Sequence, residues 1–291
     1  MFKHWLLATR PKTLVASILP VTAGFLLAYE KSKNVSIFMG FLCLIYCVFI
    51  QVGTNFANDY FDFIKGADDK RINAPKRMVS AGLVQPKVMV LATLVVFILG
   101  FVVGIVVMEL VGGSRYLLVI GLLSLICGVG YTGGPYPLAY NGLGDVFVVL
   151  FFGLVGVEAT HYILILSAGE LWQPNWILPL GVGFVINNLL VVNNYRDYEE
   201  DKKVQKKTLV VYFGKKFGLV LFLLGILVST ILIPFLVPSA WTTIFLAPLG
   251  FYVLFILRKA VTKTDYDKAL SACATTVLLY TITLLLGYLE F

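Results

Sequence analysis

Eight of the 16 acidic residues in this 291-residue sequence lie in two short segments that are also rich in asparagine. In the first segment, Asn55, Asn58, Asp59 and Asp62 are spaced i, i+3, i+4 and i+7, which places them on one face of a helix. The second segment repeats the four-residue step on another predicted helix, at Asn193, Asp197 and Asp201. The sequence therefore predicts two oxygen-rich helix faces.

These faces have the chemistry of a site for a metal ion and a phosphate group. Asparagine and aspartate are poor residues for a helix interior, and carboxylates are unfavourable near a helix C-terminus, where the helix dipole is negative. Magnesium prefers oxygen ligands and binds through a few carboxylates together with substrate phosphates. We therefore favour a metal–phosphate site over solvated loop charges. Calcium is disfavoured because the EF-hand spacing is absent from the sequence.

Basic residues follow both acidic segments. Arginine and lysine can neutralise the phosphate charge that a metal leaves uncovered, and arginine does so with two parallel hydrogen bonds. Arg77 and Lys207 are the individual residues that we predict to contact a diphosphate. The other basic residues of the two segments are Lys65, Lys70, Arg71, Lys76, Arg196, Lys202, Lys203 and Lys206.

The elements that carry these residues are predicted to be membrane-spanning helices. The chain is 59% hydrophobic and 13% charged, against about 25% charged in an average soluble protein. Its apolar blocks approach the roughly 20 residues that a helix needs to cross the hydrocarbon core. We predict an all-α polytopic bundle of nine spans, at 13–30, 35–58, 87–108, 115–132, 142–167, 175–195, 217–237, 240–258 and 268–289.

The distribution of basic residues predicts the orientation of this bundle. With a cytoplasmic N-terminus, 20 of the 23 Lys and Arg residues fall in cytoplasmic segments, as the positive-inside rule requires. The net charge of +7 therefore reports topology, and nucleic-acid binding is disfavoured. Both acidic segments fall on the cytoplasmic side. The four cysteines lie in apolar spans and are interpreted as packing residues.

An internal duplication is predicted from the equivalent positions of the acidic segments. They follow spans two and six, so the two helices run in the same direction. We expect a single transmembrane domain, 1–291, of two four-helix half-repeats at about 13–140 and 141–258, with an extra helix at 268–289.

Metal-bound diphosphate, a lipid environment and abundant aromatic residues favour one kind of chemistry. An allylic diphosphate ionises readily when metal ions stabilise the departing diphosphate. The allylic cation needs a dry site and is stabilised by aromatic faces. The chain has 22 Phe and 15 Tyr residues, including the cluster Tyr131, Tyr136 and Tyr140. We therefore expect prenyl transfer to an acceptor at the inner leaflet.

Several motifs also carry a family resemblance over nearly the whole chain. They are Arg10-Pro11-Lys12-Thr13-Leu14, the segment Asn55–Asp62 continuing through Asp68, Tyr131–Pro137, Gly142-Leu143-Gly144-Asp145, Asn193–Asp201, and Lys207-Thr208-Leu209-Val210-Val211. With these motifs the sequence resembles the UbiA superfamily of intramembrane prenyltransferases, and within it the MenA-type branch that prenylates 1,4-dihydroxy-2-naphthoate in menaquinone synthesis.

The resemblance implies roles for matching residues. Two Mg²⁺ ions on a polyprenyl diphosphate would be held or oriented by Asn58, Asp59, Asp62, Asp197 and Asp201, with assistance from Asp68. The diphosphate would be contacted by Lys65, Arg77 and Lys207. The catalytic candidates are Asp62, Asp145, Asp197 and Lys207. Further candidates for substrate binding are Asn55, Tyr131, Tyr136, Asn193 and Arg196, with Arg10 and Lys12 as hypotheses for the acceptor carboxylate. The resemblance also implies a bacterial cytoplasmic (inner) membrane and loss of the acceptor carboxyl as CO₂.

Other polar residues lie inside the predicted spans. Glu158 and His161 are spaced i, i+3 in the outer half of the bilayer, where we favour a satisfied pair over a functional site. Asn187 and Asn188 are expected to form hydrogen bonds between helices.

Other functions remain open at this point. A related prenyltransferase could use 4-hydroxybenzoate, homogentisate, haem or a chlorophyll precursor. A lipid phosphotransferase is disfavoured because its Asp-Gly…Ala-Arg…Gly…Asp pattern is absent from the sequence. A cation-coupled transporter would place its ionisable residues near the membrane midplane, whereas these acids gather at the cytoplasmic edge.

Overall fold

The computed structural model describes residues 2–68 and 77–290, and every regular element in these ranges is helical. A short helix, α1 (Phe2–Ala8), precedes the long ones. Eight of the helices are long and apolar enough to cross a membrane. They are α2 (Pro11–Lys31), α3 (Ile37–Ile64), α4 (Pro86–Val111), α6 (Gly144–Ser167), α7 (Ile177–Arg196), α10 (Lys215–Leu236), α11 (Pro238–Lys259) and α12 (Lys263–Glu290).

A shorter apolar helix, α5 (Tyr116–Gly130), lies where the fourth span is predicted. Two further short helices, α8 (Tyr198–Lys203) and α9 (Leu209–Phe213), follow α7. The all-α membrane fold predicted from sequence is confirmed, and each predicted span coincides with a helix. The largest differences between predicted and observed helix ends are at two places. Helix α3 continues to Ile64, beyond the predicted end at residue 58, and α12 begins at Lys263, before the predicted start at residue 268.

Local sequence explains several helix ends. The Ser36 hydroxyl accepts a hydrogen bond from the Met39 N–H at the start of α3. Pro86 occupies the first turn of α4, where its missing N–H costs nothing. Gly112 ends α4 in the left-handed conformation (φ 59°) that glycine adopts without strain.

The most buried span is α7, which packs against α6, α10 and α12 in the main hydrophobic core. The last helix, α12, also packs against α2 and so joins the two ends of the chain. In contrast, α5 contacts α3 and α4 and contains no buried residue. The acidic end of α7 is thus fixed by the core, while α5 forms a thin wall.

Helices α2 and α6 approach each other closely at Gly24. A Cβ atom at this position would lie 2.5 Å from the Val157 carbonyl oxygen and 2.7 Å from the Thr160 Cβ. Small residues allow such contacts between membrane helices, where van der Waals packing drives association. The α2–α6 contact therefore requires glycine at position 24.

We expect Gly24→Ala to lower the stability of the protein by about 1–3 kcal/mol, because the methyl group forces two helices apart. Thermal unfolding in detergent measures the effect. Gly130→Ala is a matched control, since a Cβ there meets no atom within 4 Å. Equal melting temperatures for the two variants would contradict the proposed packing.

Candidate active site

Three side chains on one face of the end of α3 connect it to different segments. The Asn55 Nδ2 donates to the Thr9 carbonyl oxygen at 2.9 Å. The Asn58 Oδ1 accepts from the Thr132 hydroxyl at 2.7 Å. The Asp62 Oδ1 accepts from the Tyr140 hydroxyl, also at 2.7 Å. The predicted shared face is confirmed, and its polar side chains are buried.

Arg77 is the cation at the centre of this first cluster. Its guanidinium forms ion pairs with Asp62 and, at 3.2 Å, with Asp68, and it donates to the Asn58 carbonyl oxygen. Burial alone would lower the pKa of Arg77, but the negative charges of Asp62, Asp68 and Asp59 outweigh burial and raise it. Arg77 therefore stays charged among the carboxylates.

Asp59 binds the backbone of the segment that follows Arg77. Its two carboxylate oxygens accept hydrogen bonds from the backbone N–H groups of Met78 and Val79, both at 3.0 Å. These contacts position the segment that carries Arg77. The neighbouring residues Asp69, Lys70, Arg71 and Lys76 lie outside the described residues.

The second cluster begins where α7 ends. The Arg196 guanidinium donates to both carboxylate oxygens of Asp197, at 2.6 and 2.9 Å. The Lys206 ammonium donates to the Asp201 carboxylate at 3.2 Å. Lys206 is buried, whereas Lys207, the lysine predicted from sequence, is exposed. The sequence did not distinguish these adjacent lysines.

Tyr140 joins the two clusters. Its carbonyl oxygen accepts from the Lys207 N–H at 3.1 Å, and its hydroxyl binds Asp62. The ammonium groups of Lys65 and Lys206 lie 4.2 and 5.8 Å from the centre of its ring. Burial, followed by the negative charge of Asp62, raises the pKa of Tyr140, so the phenol remains a hydrogen-bond donor at neutral pH.

A cavity of about 310 Å³ begins beside these clusters and runs between α2, α3, α4, α5, α6 and α7. Its deeper lining is mainly apolar and aromatic, with residues such as Ile50, Phe101 and Phe151. The polar residues at the end nearest the clusters include Arg10, Asn55, Asn58, Tyr131 and Asn193. A charged site therefore opens onto an apolar cavity within the membrane.

Tyr131 lies close to the acids of both clusters. Burial raises its pKa, and the negative charges of Asp145, Asp62 and Asp201 raise it further. Asp145 is buried and accepts a hydrogen bond from the Asn187 Nδ2 at 3.1 Å. This bond joins α6 to α7, which confirms the interhelical role predicted for Asn187.

Several other sequence-based candidates lie elsewhere. Lys12 is exposed and outside the cavity lining, and the Tyr136 side chain is 62% exposed. Glu158 accepts hydrogen bonds from the Trp172 indole and the Asn175 N–H, both at 3.1 Å, and lies 3.5 Å from His161. Of the pair that was predicted to be satisfied, Glu158 has these partners, whereas neither ring nitrogen of the buried His161 forms a hydrogen bond with a described residue.

The oxygen atoms of these acids are suitable ligands for magnesium. Among the described residues, however, the acids are not arranged as a preformed metal site. Within residues 2–68 and 77–290, no three His, Cys, Asp or Glu side chains form a metal-binding cluster. Each of the acids Asp62, Asp68, Asp197 and Asp201 is paired with a basic residue. All four acids are buried, and oxygen atoms of this type are the ligands that Mg²⁺ prefers.

We expect Arg77→Met to destabilise the protein by about 3–5 kcal/mol when Mg²⁺ is absent, because buried Asp62 and Asp68 lose their guanidinium partner. Thermal unfolding in EDTA measures this loss. Lys203→Met removes an exposed charge and serves as the control. A melting temperature for Arg77→Met equal to that of the control would show that Arg77 does not neutralise this cluster.

Comparisons with known proteins agree with this arrangement. The model of the UbiA prenyltransferase family matches residues 17–284. A 1,4-dihydroxy-2-naphthoate octaprenyltransferase of Haemophilus influenzae is 34% identical over 219 residues, which cover 73% of this chain and 70% of the relative. The octaprenyltransferase of the same name from Escherichia coli is 33% identical over 72% of this chain and 68% of its own length.

Among solved structures, a UbiA homologue of Archaeoglobus fulgidus, bound to GPP and Mg²⁺, aligns with 98% of this chain and 99% of its own. The TM-score is 0.67 and the identity is 16%, which shows a shared fold. The extensive family match and the relatives above 30% identity lead to one conclusion. The chain belongs to the UbiA prenyltransferase family.

Proposed function

We propose that this protein transfers a polyprenyl group from an allylic polyprenyl diphosphate to 1,4-dihydroxy-2-naphthoate, with loss of CO₂ and diphosphate. The product is demethylmenaquinol, an intermediate of menaquinone synthesis. This acceptor is supported by the relatives that are about one-third identical, which are 1,4-dihydroxy-2-naphthoate octaprenyltransferases. We place the reaction at the inner leaflet of a bacterial cytoplasmic membrane, with the N-terminus on the cytoplasmic side.

The observation that carries this proposal is the direct connection between the charged clusters and the apolar cavity. Asn58 contributes to both, since its carbonyl oxygen accepts a hydrogen bond from Arg77 and the residue also lines the cavity. A substrate with a diphosphate head and a hydrocarbon tail matches this division. A wholly polar substrate would not match an apolar cavity that extends between the membrane-spanning helices.

The metal-binding residues in this proposal are Asn58, Asp62, Asp68, Asp197 and Asp201. Two Mg²⁺ ions, when bound, supply Lewis acidity that stabilises the departing diphosphate. Asp59 is assigned a positioning role instead, because its oxygens hold the backbone that leads away from Arg77. With Asp59 assigned this role, the six metal-site residues predicted from sequence are reduced to five.

The basic residues complete the binding of the diphosphate. Arg77 is partly buried and Arg196 is buried, each paired with an acid, and a guanidinium binds phosphate oxygens with the same geometry as carboxylate oxygens. Lys65, Lys206 and Lys207 extend this positive charge around Tyr140. Burial lowers the pKa of Lys65, while Asp62 opposes that shift. A bound diphosphate would favour its charged form.

In the reaction, the allylic C–O bond breaks and its electron pair leaves with the diphosphate. The allylic carbon then bonds to the naphthoate carbon that carries the carboxylate. The bond to that carboxylate breaks, CO₂ leaves, and the electron pair returns to the ring. No base is needed for a ring proton, which agrees with the hydrogen-bonded, buried position of Asp145.

The acceptor is proposed to lie at the cytoplasmic end of the cavity. Arg10, in the turn between α1 and α2, lines this end, and we propose that its guanidinium binds the acceptor carboxylate. Its backbone is left-handed (φ 53°), a conformation that is uncommon outside glycine and is often associated with functional sites. Tyr131 also lines the cavity at this end.

We expect Asp201→Asn to reduce prenyl transfer by about 100-fold, because it removes a buried carboxylate from the proposed magnesium site. Glu199→Gln is the matched control, since Glu199 is exposed on the same helix, α8. The assay measures product formation with purified enzyme, Mg²⁺ and a polyprenyl diphosphate.

The same assay should compare 1,4-dihydroxy-2-naphthoate, 4-hydroxybenzoate and homogentisate as acceptors. The naphthoate should give the highest kcat/KM with wild-type protein. Absence of naphthoate turnover, with turnover of another acceptor, would contradict the proposed substrate. Equal activity in Asp201→Asn and Glu199→Gln would contradict the metal assignment.

Replacing Arg10 tests the acceptor site separately. Arg10→Gln should raise the KM for the naphthoate about tenfold, because a hydrogen bond to a charged group contributes about 1.5–3 kcal/mol. Lys12→Gln should leave this KM close to the wild-type value, since Lys12 is exposed outside the cavity lining. An unchanged acceptor KM in Arg10→Gln, or a change only in the donor KM, would refute this role.

A further inference from the structure

The cavity extends far beyond the charged clusters along α3. Its lining on this helix begins at Asn58, at the cytoplasmic end, and reaches Cys43 near the other end of the helix. Tyr46 lies 12 residues before Asn58, which corresponds to about 18 Å along a helix axis at 1.5 Å per residue. Tyr46 therefore borders the deep part of the cavity.

The ring of Tyr46 occupies space that two glycines leave between α4 and α5. A Cβ at Gly104 on α4 would lie 3.2 Å from the Tyr46 Cε2. A Cβ at Gly121 on α5 would lie 3.0 Å from the Tyr46 Oη. Because both positions lack side chains, the ring can extend from α3 to the outer wall of the cavity.

No described residue accepts or donates a hydrogen bond to the buried Tyr46 hydroxyl. A buried hydroxyl without a partner is unfavourable, so hydrogen bonding does not account for the position of this side chain. The position of the side chain is explained by its contacts with the two glycines and by its place in the cavity lining. Steric packing against Gly104 and Gly121, and not hydrogen bonding, therefore fixes the Tyr46 side chain.

The wall behind Tyr46 depends on this packing because α5 has little other packing. None of the residues of α5 is buried, and the helix contacts α3 and α4. Gly121, Ser124, Cys127 and Gly128 of α5 also line the cavity. A change in the size of residue 46 or 121 therefore changes the width of the cavity at this depth.

We propose that Tyr46, seated against Gly104 and Gly121, determines which prenyl tail lengths the cavity accepts. The inference rests on the proposed function, since it assigns the deep cavity to the tail of the donor. A tail short enough to end before Tyr46 is insensitive to this residue. A longer tail must pass the ring, so its binding depends on the space that the ring leaves.

The test compares kcat/KM for geranyl, farnesyl, geranylgeranyl and octaprenyl diphosphates with the full-length protein. Tyr46→Ala should raise the ratio of long-donor to short-donor kcat/KM by about tenfold, the scale of discrimination that small changes in an apolar pocket produce. Gly121→Ala should lower the same ratio, because the new methyl group displaces the ring towards the cavity. Phe41→Ala is the control, since Phe41 is exposed on α3 outside the cavity lining.

Unchanged ratios in folded Tyr46→Ala and Gly121→Ala would overturn the inference and leave Tyr46 as a packing residue. Melting temperatures in detergent establish that each variant is folded. If Tyr46→Ala does not fold, Tyr46→Leu and Gly121→Ala provide the same comparison. Failure of the wild-type protein to transfer any prenyl group would instead contradict the proposed function.

Discussion

The structure depends on keeping acidic side chains buried at the C-terminal ends of two membrane helices. The ends of α3 and α7 carry the negative pole of the helix dipole, and Asp62 and Asp197 add further negative charge there. Burial of such charges is costly unless cations accompany them. Arg77 and Arg196 supply that compensation, and a metal-bound diphosphate would supply more of it.

This requirement explains the arrangement of the connecting loops. Asp59 fixes the segment that returns Arg77 to the first cluster. Tyr140 binds Asp62 through its hydroxyl and the second loop through its carbonyl oxygen. Two helices that are distant in sequence are thereby held with their acidic ends on one side of the bundle. The cavity begins between them, and in the proposed function it receives the tail of the substrate whose diphosphate binds at the clusters.

The helices and the candidate acids could be predicted because each depends on local sequence. Apolar blocks predict the spans, and the four-residue spacing predicts the shared face of α3. The second predicted face, on one helix through Asn193, Asp197 and Asp201, is wrong, because α7 ends at Arg196 and Asp201 lies on the separate helix α8. The partners could not be predicted in the same way. Lys206 and Lys207 are adjacent and chemically identical, yet one is buried beside Asp201 and the other is exposed. This difference arises in a loop where Gln205, directly before Lys206, has a left-handed backbone (φ 56°).

The tyrosines show the same limit. Tyr131, Tyr136 and Tyr140 form one cluster in the sequence, but their positions in the structure differ. Tyr131 lines the cavity, Tyr136 is exposed on the surface, and Tyr140 joins the acidic clusters. Long-range contacts select these roles, and composition carries no information about them. The position of Tyr46 could not be predicted for the same reason, because it depends on glycines in two other helices.

The central claim is that the acids of α3 and of the α7–α8 junction form one magnesium–diphosphate site. Calorimetric titration with an unreactive prenyl thiodiphosphate, in Mg²⁺ or in EDTA, tests it most directly. Binding should require Mg²⁺ and should be lost in both Asp62→Asn and Asp197→Asn. Mg²⁺-dependent binding that survives either substitution at wild-type affinity would contradict a single shared site.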